Sequence, residues 1–282
     1  MKKTSLSILV FILLAVSACG RTSQPEATVA VPNTLQPLPP IAQTAPVIVM
    51  AYTETPVIAT ATALAPVNAT LLTEILEAYS ESPAYTILLE SVLMEGDAAY
   101  ADPFNSLVQS LMEKEQKAFI DGLTEIEEWR AANMPDIRST LDSAYQVTLN
   151  DKSLVSVRFE FYSYTAGAAH PISFTKTLTY DLIKRQMVPL PDLFTLGTDW
   201  LGALSSYCLK DLQQRGVLEF PEGAGPTMQN YASWSLNPEG LVVYFDPYQV
   251  ASYAAGPQQV LVPYAALSEF IAPQGVIVRL LP

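Results

Sequence analysis

The chain is short of the residues that most hydrolytic and metal chemistry requires. It has one histidine, His170, and two cysteines, Cys19 and Cys208. A zinc hydrolase commonly draws on two or three histidines with carboxylate help. A metal-dependent hydrolase is therefore disfavoured, and no metal or cofactor is expected. There is no G-x-S-x-G nucleophile motif, and Ser205-Ser206 falls inside a helical pattern. Cations are also scarce, with 15 Lys and Arg against 28 Asp and Glu, a formal net charge of -13. Affinity for nucleic acid comes largely from Lys and Arg neutralising phosphates, so nucleic acid is not expected as a partner. A cationic partner gains in encounter rate, although acidity also serves simply to keep a surface protein soluble. Long apolar runs are missing too. The longest candidate, Leu6 to Val16, is broken by Ser7 and falls short of the ~20 residues that span a bilayer.

That short run has the flanks of an export signal. Lys2 and Lys3 precede it, and Val16-Ser17-Ala18-Cys19 follows. A positive start, a short apolar core and small residues before the cleavage point read as a signal peptide over residues 1–18. The last four residues are similar to a bacterial lipobox, in which a diacylglyceryl thioether forms on the cysteine and cleavage makes it the new N-terminus. The resemblance makes Cys19 the lipidation site. At roughly 0.8 kcal/mol per buried CH₂, two or three acyl chains hold a protein firmly to a membrane. The simpler alternative is an ordinary cleaved signal with Cys19 incidental. With Cys19 acylated, Cys208 has no partner for a disulfide. Residues 19–68 follow as a tether rich in Pro, Thr and Ala, with only Arg21, Glu26 and Glu54 charged. Such a composition holds no lasting period and behaves as a semi-extended spacer of up to about 3.1 Å per residue. A strand around Val47 to Met50 is the alternative there.

Residues 69–282 read as the folded part. Leu71, Leu72, Ile75, Leu76 and Tyr79 stand at helical spacing. Tyr85 to Met94 reads as a strand. Asp102-Pro103 then opens a long helix with an apolar stripe of Phe104, Leu107, Val108, Leu111, Phe119, Leu123 and Ile126. Pro135 closes that region. Ala144 to Leu149, then Val155, Val157, Phe159 and Phe161, then Ile172, Phe174, Leu178 and Tyr180 give three hairpin-linked strands with the period of a half-buried sheet. A helix at Thr198 to Gln214 is expected to turn Trp200, Leu201, Leu204, Tyr207, Cys208 and Leu212 inward. Strands near Tyr231 to Leu236, at Leu241 to Phe245 and at Val260 to Val262 follow, and Leu241 to Phe245, apolar on both faces, is expected to be central. A short helix near Tyr264 to Phe270 and a last strand, Val276 to Leu280, end the chain. The expected class is α+β: an antiparallel sheet of hairpin-linked strands packed with one long helix and one or two shorter helices.

Several stretches follow one another in a familiar order: Gly167-Ala168-Ala169-His170, Thr179-Tyr180-Asp181-Leu182, Pro189-Leu190-Pro191-Asp192-Leu193-Phe194, the long run from Gly240 through Asp246-Pro247-Tyr248 and Tyr253 to Gly256, and Val262-Pro263-Tyr264. Together they resemble the extracytoplasmic module shared by RsiV-like anti-sigma factors and PdaC-like peptidoglycan deacetylases, a pair of adjoining domains of unknown function. The resemblance covers about 80–195 as a first half and about 196–282 as a second, and the second half carries the more specific motifs. It implies a module outside the cytoplasm that in the anti-sigma member receives lysozyme and in the deacetylases sits beside the catalytic domain. The sequence shows no sigma-binding segment, membrane-spanning helix or deacetylase domain. Signalling and deacetylation are therefore not carried over.

His170 with Asp181 or Asp246 is conceivable as an acid–base pair, but a turn-shaping histidine bonded to backbone is the plainer reading. Asp192 reads as a turn residue. The loop from Asp246 to Gly256 is the better candidate surface. Tyr248 and Tyr253 beside Pro247 bring contact area at low entropic cost, although an aromatic corner between strands has the same composition. The expected ligand contacts are therefore Tyr248, Tyr253, Asp246, Pro247 and His170, with no catalytic residue. The expected function is a membrane-anchored module that binds a cell-wall glycan or a cationic protein such as lysozyme. A cell-wall hydrolase and a structural accessory of the envelope are the alternatives.

Overall fold

In this computed structural model residues 69–281 are described. The expected lipidation site Cys19, the signal peptide and the tether lie outside them. The expected α+β class is what the chain forms. A six-stranded sheet runs in sequence order from β1 (Thr70–Glu81), β2 (Ala84–Glu95), β3 (Ser139–Asn150), β4 (Leu154–Tyr164) and β5 (Ile172–Asp181) to β6 (Gln186–Met187). Every neighbouring pair is antiparallel except β2 with β3, which is parallel. A parallel pair needs a crossover connection, and α1 (Ala98–Thr124) and α2 (Glu127–Asn133) provide it.

The period of 2 in β4 and β5 sorts their side chains onto two faces. Val155, Val157, Phe159 and Phe161 of β4 and Leu178 and Tyr180 of β5 face α1 and form one core with its Phe104, Val108 and Met112. Phe104 and Tyr180 meet edge to face at 5.5 Å, and Phe161 stacks on Phe174 at 5.1 Å. Fully burying side chains of this kind stabilises the fold by about 1.5–3 kcal/mol each.

The second core lies with α3 (Trp200–Gln214) and a small antiparallel sheet of β7 (Trp234–Leu236), β8 (Gly240–Phe245) and β9 (Gln258–Pro263). All six residues of β8 are buried and it is the central strand, as its unbroken apolar run predicts. Gly240 is required at its start, because a Cβ there would lie 2.3 Å from the carbonyl oxygen of Val262. Cys208 is a free thiol inside this core, and burial pushes it up to about 12, out of reach of thiolate chemistry near neutral pH.

A seam of hydroxyls joins the two sheets. The Leu236 amide donates to Ser156 Oγ (3.0 Å), which in turn lies 2.8 Å from Thr179 Oγ1. The Trp234 amide donates to Thr177 Oγ1 (3.1 Å), and Ser233 Oγ donates to the carbonyl of Thr175 (2.7 Å). These groups are buried at Ser156, Thr179 and Leu236 and partly buried at Thr177 and Ser233, so each bond offsets a desolvation cost that an unpaired hydroxyl or amide would leave standing.

Four expectations need correction. Residues 71–79 are strand β1, not helix. Leu71, Leu72, Ile75, Leu76 and Tyr79 satisfy helical spacing, yet in an edge strand they divide between two faces that are both largely exposed. No buried face imposes a period of 2. The long helix begins at Ala98 rather than at Asp102-Pro103. Asp97 caps it by accepting from the Ala99 amide (2.8 Å), and Pro103 lies inside. Tyr231 ends a one-turn 3-10 helix (Met228–Tyr231), leaving β7 only three residues. The terminal apolar stretch is a 3-10 turn, Val276–Arg279, not a strand. Val276 and Ile277 enter the second core, while Arg279 turns back to pair with the buried Asp181.

Candidate functional site

The Asp246–Gly256 loop leaves β8 and returns into β9, and the Gly167–His170 turn joins β4 to β5. Sequence alone gives no reason for them to meet. In the structure they are in contact. The His170 ring stacks on Tyr253 with centroids 4.0 Å apart, and Tyr253 stacks on Tyr248 at 5.8 Å. His170 Nδ1 lies 2.9 Å from the carbonyl oxygen of Pro171, which also accepts from Tyr253 Oη at 2.9 Å. That places the ring proton on Nδ1 and leaves the Nε2 lone pair toward Tyr248 Oη, 3.5 Å away. The three rings thus form one strip in which each touches the other two, Tyr253 stacking on both and Tyr248 the most exposed, 56% accessible.

The backbone beneath the strip is tied down. Gln249 Nε2 donates to the carbonyls of Gly223 (2.9 Å) and Asn230 (3.0 Å). The Val250 carbonyl accepts from the amides of Glu219 (2.9 Å) and Phe220 (3.0 Å), and Ser252 Oγ donates to Glu219 (2.8 Å). The loop presses so closely on Gly223 that a Cβ there would stand 1.7 Å from the Gln249 carbonyl oxygen. Tyr248 itself has φ of 69°. A left-handed conformation costs a non-glycine residue roughly 1–2 kcal/mol and persists where the surroundings over-determine it, commonly at contact sites.

Asp246 belongs to the same loop but does another job. Its Oδ1 accepts the Thr175 amide at 2.8 Å, capping the edge of β5 where β6 does not reach. Burial pushes its carboxyl above the ordinary value, and the Thr175 bonds and the Lys176 and Arg158 charges only partly oppose this. Pro247 lies half-buried between Asp246 and Tyr248. The imagined His170–carboxylate pair is not formed: Asp246 serves Thr175, and Asp181 serves Arg279 and the amides of Ile183 (2.9 Å) and Lys184 (3.0 Å). Ser205 and Ser206 are each spent on a backbone carbonyl, at 2.7 and 2.8 Å. Asp192 sits in a 3-10 turn (Leu190–Leu193). Among the described residues no group of three or more His, Cys, Asp or Glu gathers in a metal-holding arrangement, and no helix is long and apolar enough to cross a membrane.

Two participants escaped the sequence reading. Trp129 of α2 is half exposed, and its ring lies against the same turn, since a Cβ on Gly167 would come within 2.8 Å of it. Gln249 is the loop's main anchor. An exposed tryptophan in a polar helix was a usable signal for the first; nothing in the sequence marked the second.

The fold and the strip define a class: an α+β module presenting aromatic rings on a pre-organised loop. The comparisons bear on the fold of this module. Residues 191–265, which include α3, the small sheet and the Tyr248–Tyr253 loop, match the family described as "Protein of unknown function (DUF3298)". The chain is similar to the peptidoglycan-N-acetylmuramic acid deacetylase PdaC of Bacillus subtilis, at 24% identity over 61% of this chain and 37% of that protein. It is also similar to the immunogenic protein MPT64 of Mycobacterium tuberculosis, at 27% identity over 46% of this chain and 58% of that protein. In both cases it spans well under two thirds of the relative's length. A solved member of the DUF3298 family from Bacteroides fragilis shares the fold, with a TM-score of 0.58 at 18% identity, covering 75% of this chain and 97% of the other.

Proposed function

We propose that this chain is an extracytoplasmic module, lipid-anchored at Cys19 through the tether of residues 19–68, that binds a cell-wall glycan on the strip formed by Tyr248, Tyr253 and His170. The observation that carries the reading is the convergence of three stacked rings on a loop held from beneath. The C–H faces of pyranose rings are apolar, and they pack against aromatic faces while their hydroxyls stay in water. A rigid aromatic surface offers that contact with little ordering cost. Trp129 lies against the same turn, half exposed. The similarity to a peptidoglycan deacetylase supports a cell-wall setting for the module. The chain's role is binding, because His170 and the nearby carboxylates are already committed to structural bonds.

A second reading rests on charge. At -13 the chain favours a cationic envelope-active protein such as lysozyme as partner. Calorimetric titration of the chain with solubilised cell-wall glycan and with lysozyme, at low and moderate salt, separates the two. Saturable glycan binding that changes little with salt is the expected result. Salt-sensitive binding to lysozyme alone would replace the glycan reading, and no binding to either would overturn both.

A further inference from the structure

The fold closes its strand edges one after another, with a single long exception. At the far end of β2, beyond its short pairing with β3, Asn105 takes both the amide (2.8 Å) and the carbonyl (3.1 Å) of Met94, and Ser143 Oγ donates to the Glu90 carbonyl (2.9 Å). On β5, Asp246 and Ser233 serve Thr175. On β9, the Arg215 guanidinium donates to the Gln259 carbonyl (3.0 Å). β1 is treated differently. Its ends are held through the Ala69 carbonyl by Asn150 (2.9 Å) and the Ser80 carbonyl by Arg138 (2.6 Å). Between them, among the described residues, the backbone of residues 70–79 has no hydrogen-bond partner except β2.

This edge also lacks the usual guards. Proteins protect an exposed edge with lysine, proline or a bulge. β1 has no Lys, Arg or Pro, and its twelve residues pair with β2 in unbroken register. Leu72, Ile75, Leu76 and Tyr79 are exposed along it. The hairpin of residues 70–95 carries Glu74, Glu77, Glu81, Glu90 and Glu95 and no cation. Arg138 neutralises Glu81 at the turn, leaving Glu74 and Glu77 exposed and unanswered along the open edge. A second copy would set these acids against its own, and like charges on paired strands repel.

We propose that the outer edge of β1 is a docking site for an extended segment of a partner protein, one that carries an apolar–basic–apolar order on each of its two faces and adds to the sheet as a further strand. Main-chain hydrogen bonds supply affinity in such strand addition, and the alternate side chains supply specificity. Leu72, Glu74 and Leu76 follow one another on one face of β1 and Ile75, Glu77 and Tyr79 on the other, so on each face apolar side chains of the partner flank a basic one. This site is separate from the aromatic strip, so its failure leaves the glycan reading standing.

The test uses the full chain and a synthetic Val-Lys peptide of about ten residues, Thr-Val-Thr-Lys-Val-Val-Lys-Thr-Val-Thr, longer than a typical strand and matched to both faces of β1. The controls are a Val-Glu peptide, the same sequence with Glu for Lys, and the Val-Lys peptide N-methylated at every second amide. The expected result is saturable binding of the Val-Lys peptide at least about tenfold tighter than either control. Slowed amide exchange confined to residues 70–79 is expected with it, as is a loss of about tenfold or more in the double variant Glu74→Lys/Glu77→Lys. Equal binding of the Val-Lys peptide and either control, protection elsewhere, or no binding overturns the proposal. So does protection of the 70–79 amides in the free chain, whether by a second copy or by the chain's own N-terminal segment.

Discussion

β5 and β1 both have an outer edge, and the molecule treats the two in opposite ways. The β5 edge is closed by a carboxylate and a hydroxyl from the second sheet, so the groups that close it also lock the two sheets together. The β1 edge is long and unguarded, and it contributes little to either core. Stability is thus concentrated in the two cores, one between α1 and β4 and β5 and the other around α3 and β8, and β1 can change with little effect on the fold. The comparison shows that exposed apolar side chains on β1 are not residues the fold needs.

Substitution at the cores breaks this contrast most severely. Phe159→Ala removes a fully buried ring between β4 and α1 and is expected to cost about 3–5 kcal/mol, read from urea denaturation. Ile75→Ala on β1 should cost under about 1 kcal/mol by the same measurement. Next in size is the edge cap. Asp246→Ala leaves the Thr175 amide without its acceptor and is expected to cost about 1–3 kcal/mol. A smaller effect of opposite sign is expected at the strip. Tyr248→Gly relieves the left-handed backbone and should raise stability by about 1 kcal/mol while weakening glycan binding. Smallest is Glu77→Lys on β1, expected to stay within about 0.5 kcal/mol of the parent.

Two carboxylates, the buried Asp181 and the part-buried Asp246, extend the contrast to pH. Asp246 is raised above 3.8 by burial, so the folded state holds its proton more tightly than the unfolded state. Its contribution is fully present below 3.8 and is lost as pH rises through the raised value. Asp181 is also pushed up by burial, but Arg279 and the amides of Lys184 and Ile183 outweigh this and leave it lowered. Its contribution is present above 3.8 and is lost as pH falls through the lowered value. Urea midpoints followed across acid pH should therefore change in opposite senses. Asp246→Asn should remove the gain on approaching 3.8 from above, and Asp181→Asn should remove the loss below it.

The parts legible in the sequence are those where one face is buried. The alternation in β4 and β5, the unbroken run of β8 and the stripes of α1 and α3 each reflect a core that imposes a period. β1 was read as a helix because nothing buried imposes one there. Val276 to Leu280 was read as a strand because its apolar residues enter a core, while Arg279 is drawn to a carboxylate far away in sequence. At the site, the Tyr248–Tyr253 loop and His170 were each visible as residue types. Their meeting depends on how the small sheet docks against β5 through Ser156, Thr175 and Thr177, and no local pattern encodes it. The likeness to the deacetylase module is supported by the comparisons.

The central claim is that the aromatic strip meets saccharide. Its most direct test is the affinity of the chain for solubilised cell-wall glycan beside that of Tyr253→Ala, with urea denaturation confirming that both are folded. Tyr253 stacks on both other rings, so its loss removes the contacts that hold them together and should weaken binding by about tenfold or more, as truncation of a central aromatic contact does. A Tyr253→Ala chain that is folded and binds as tightly as the parent would contradict the account.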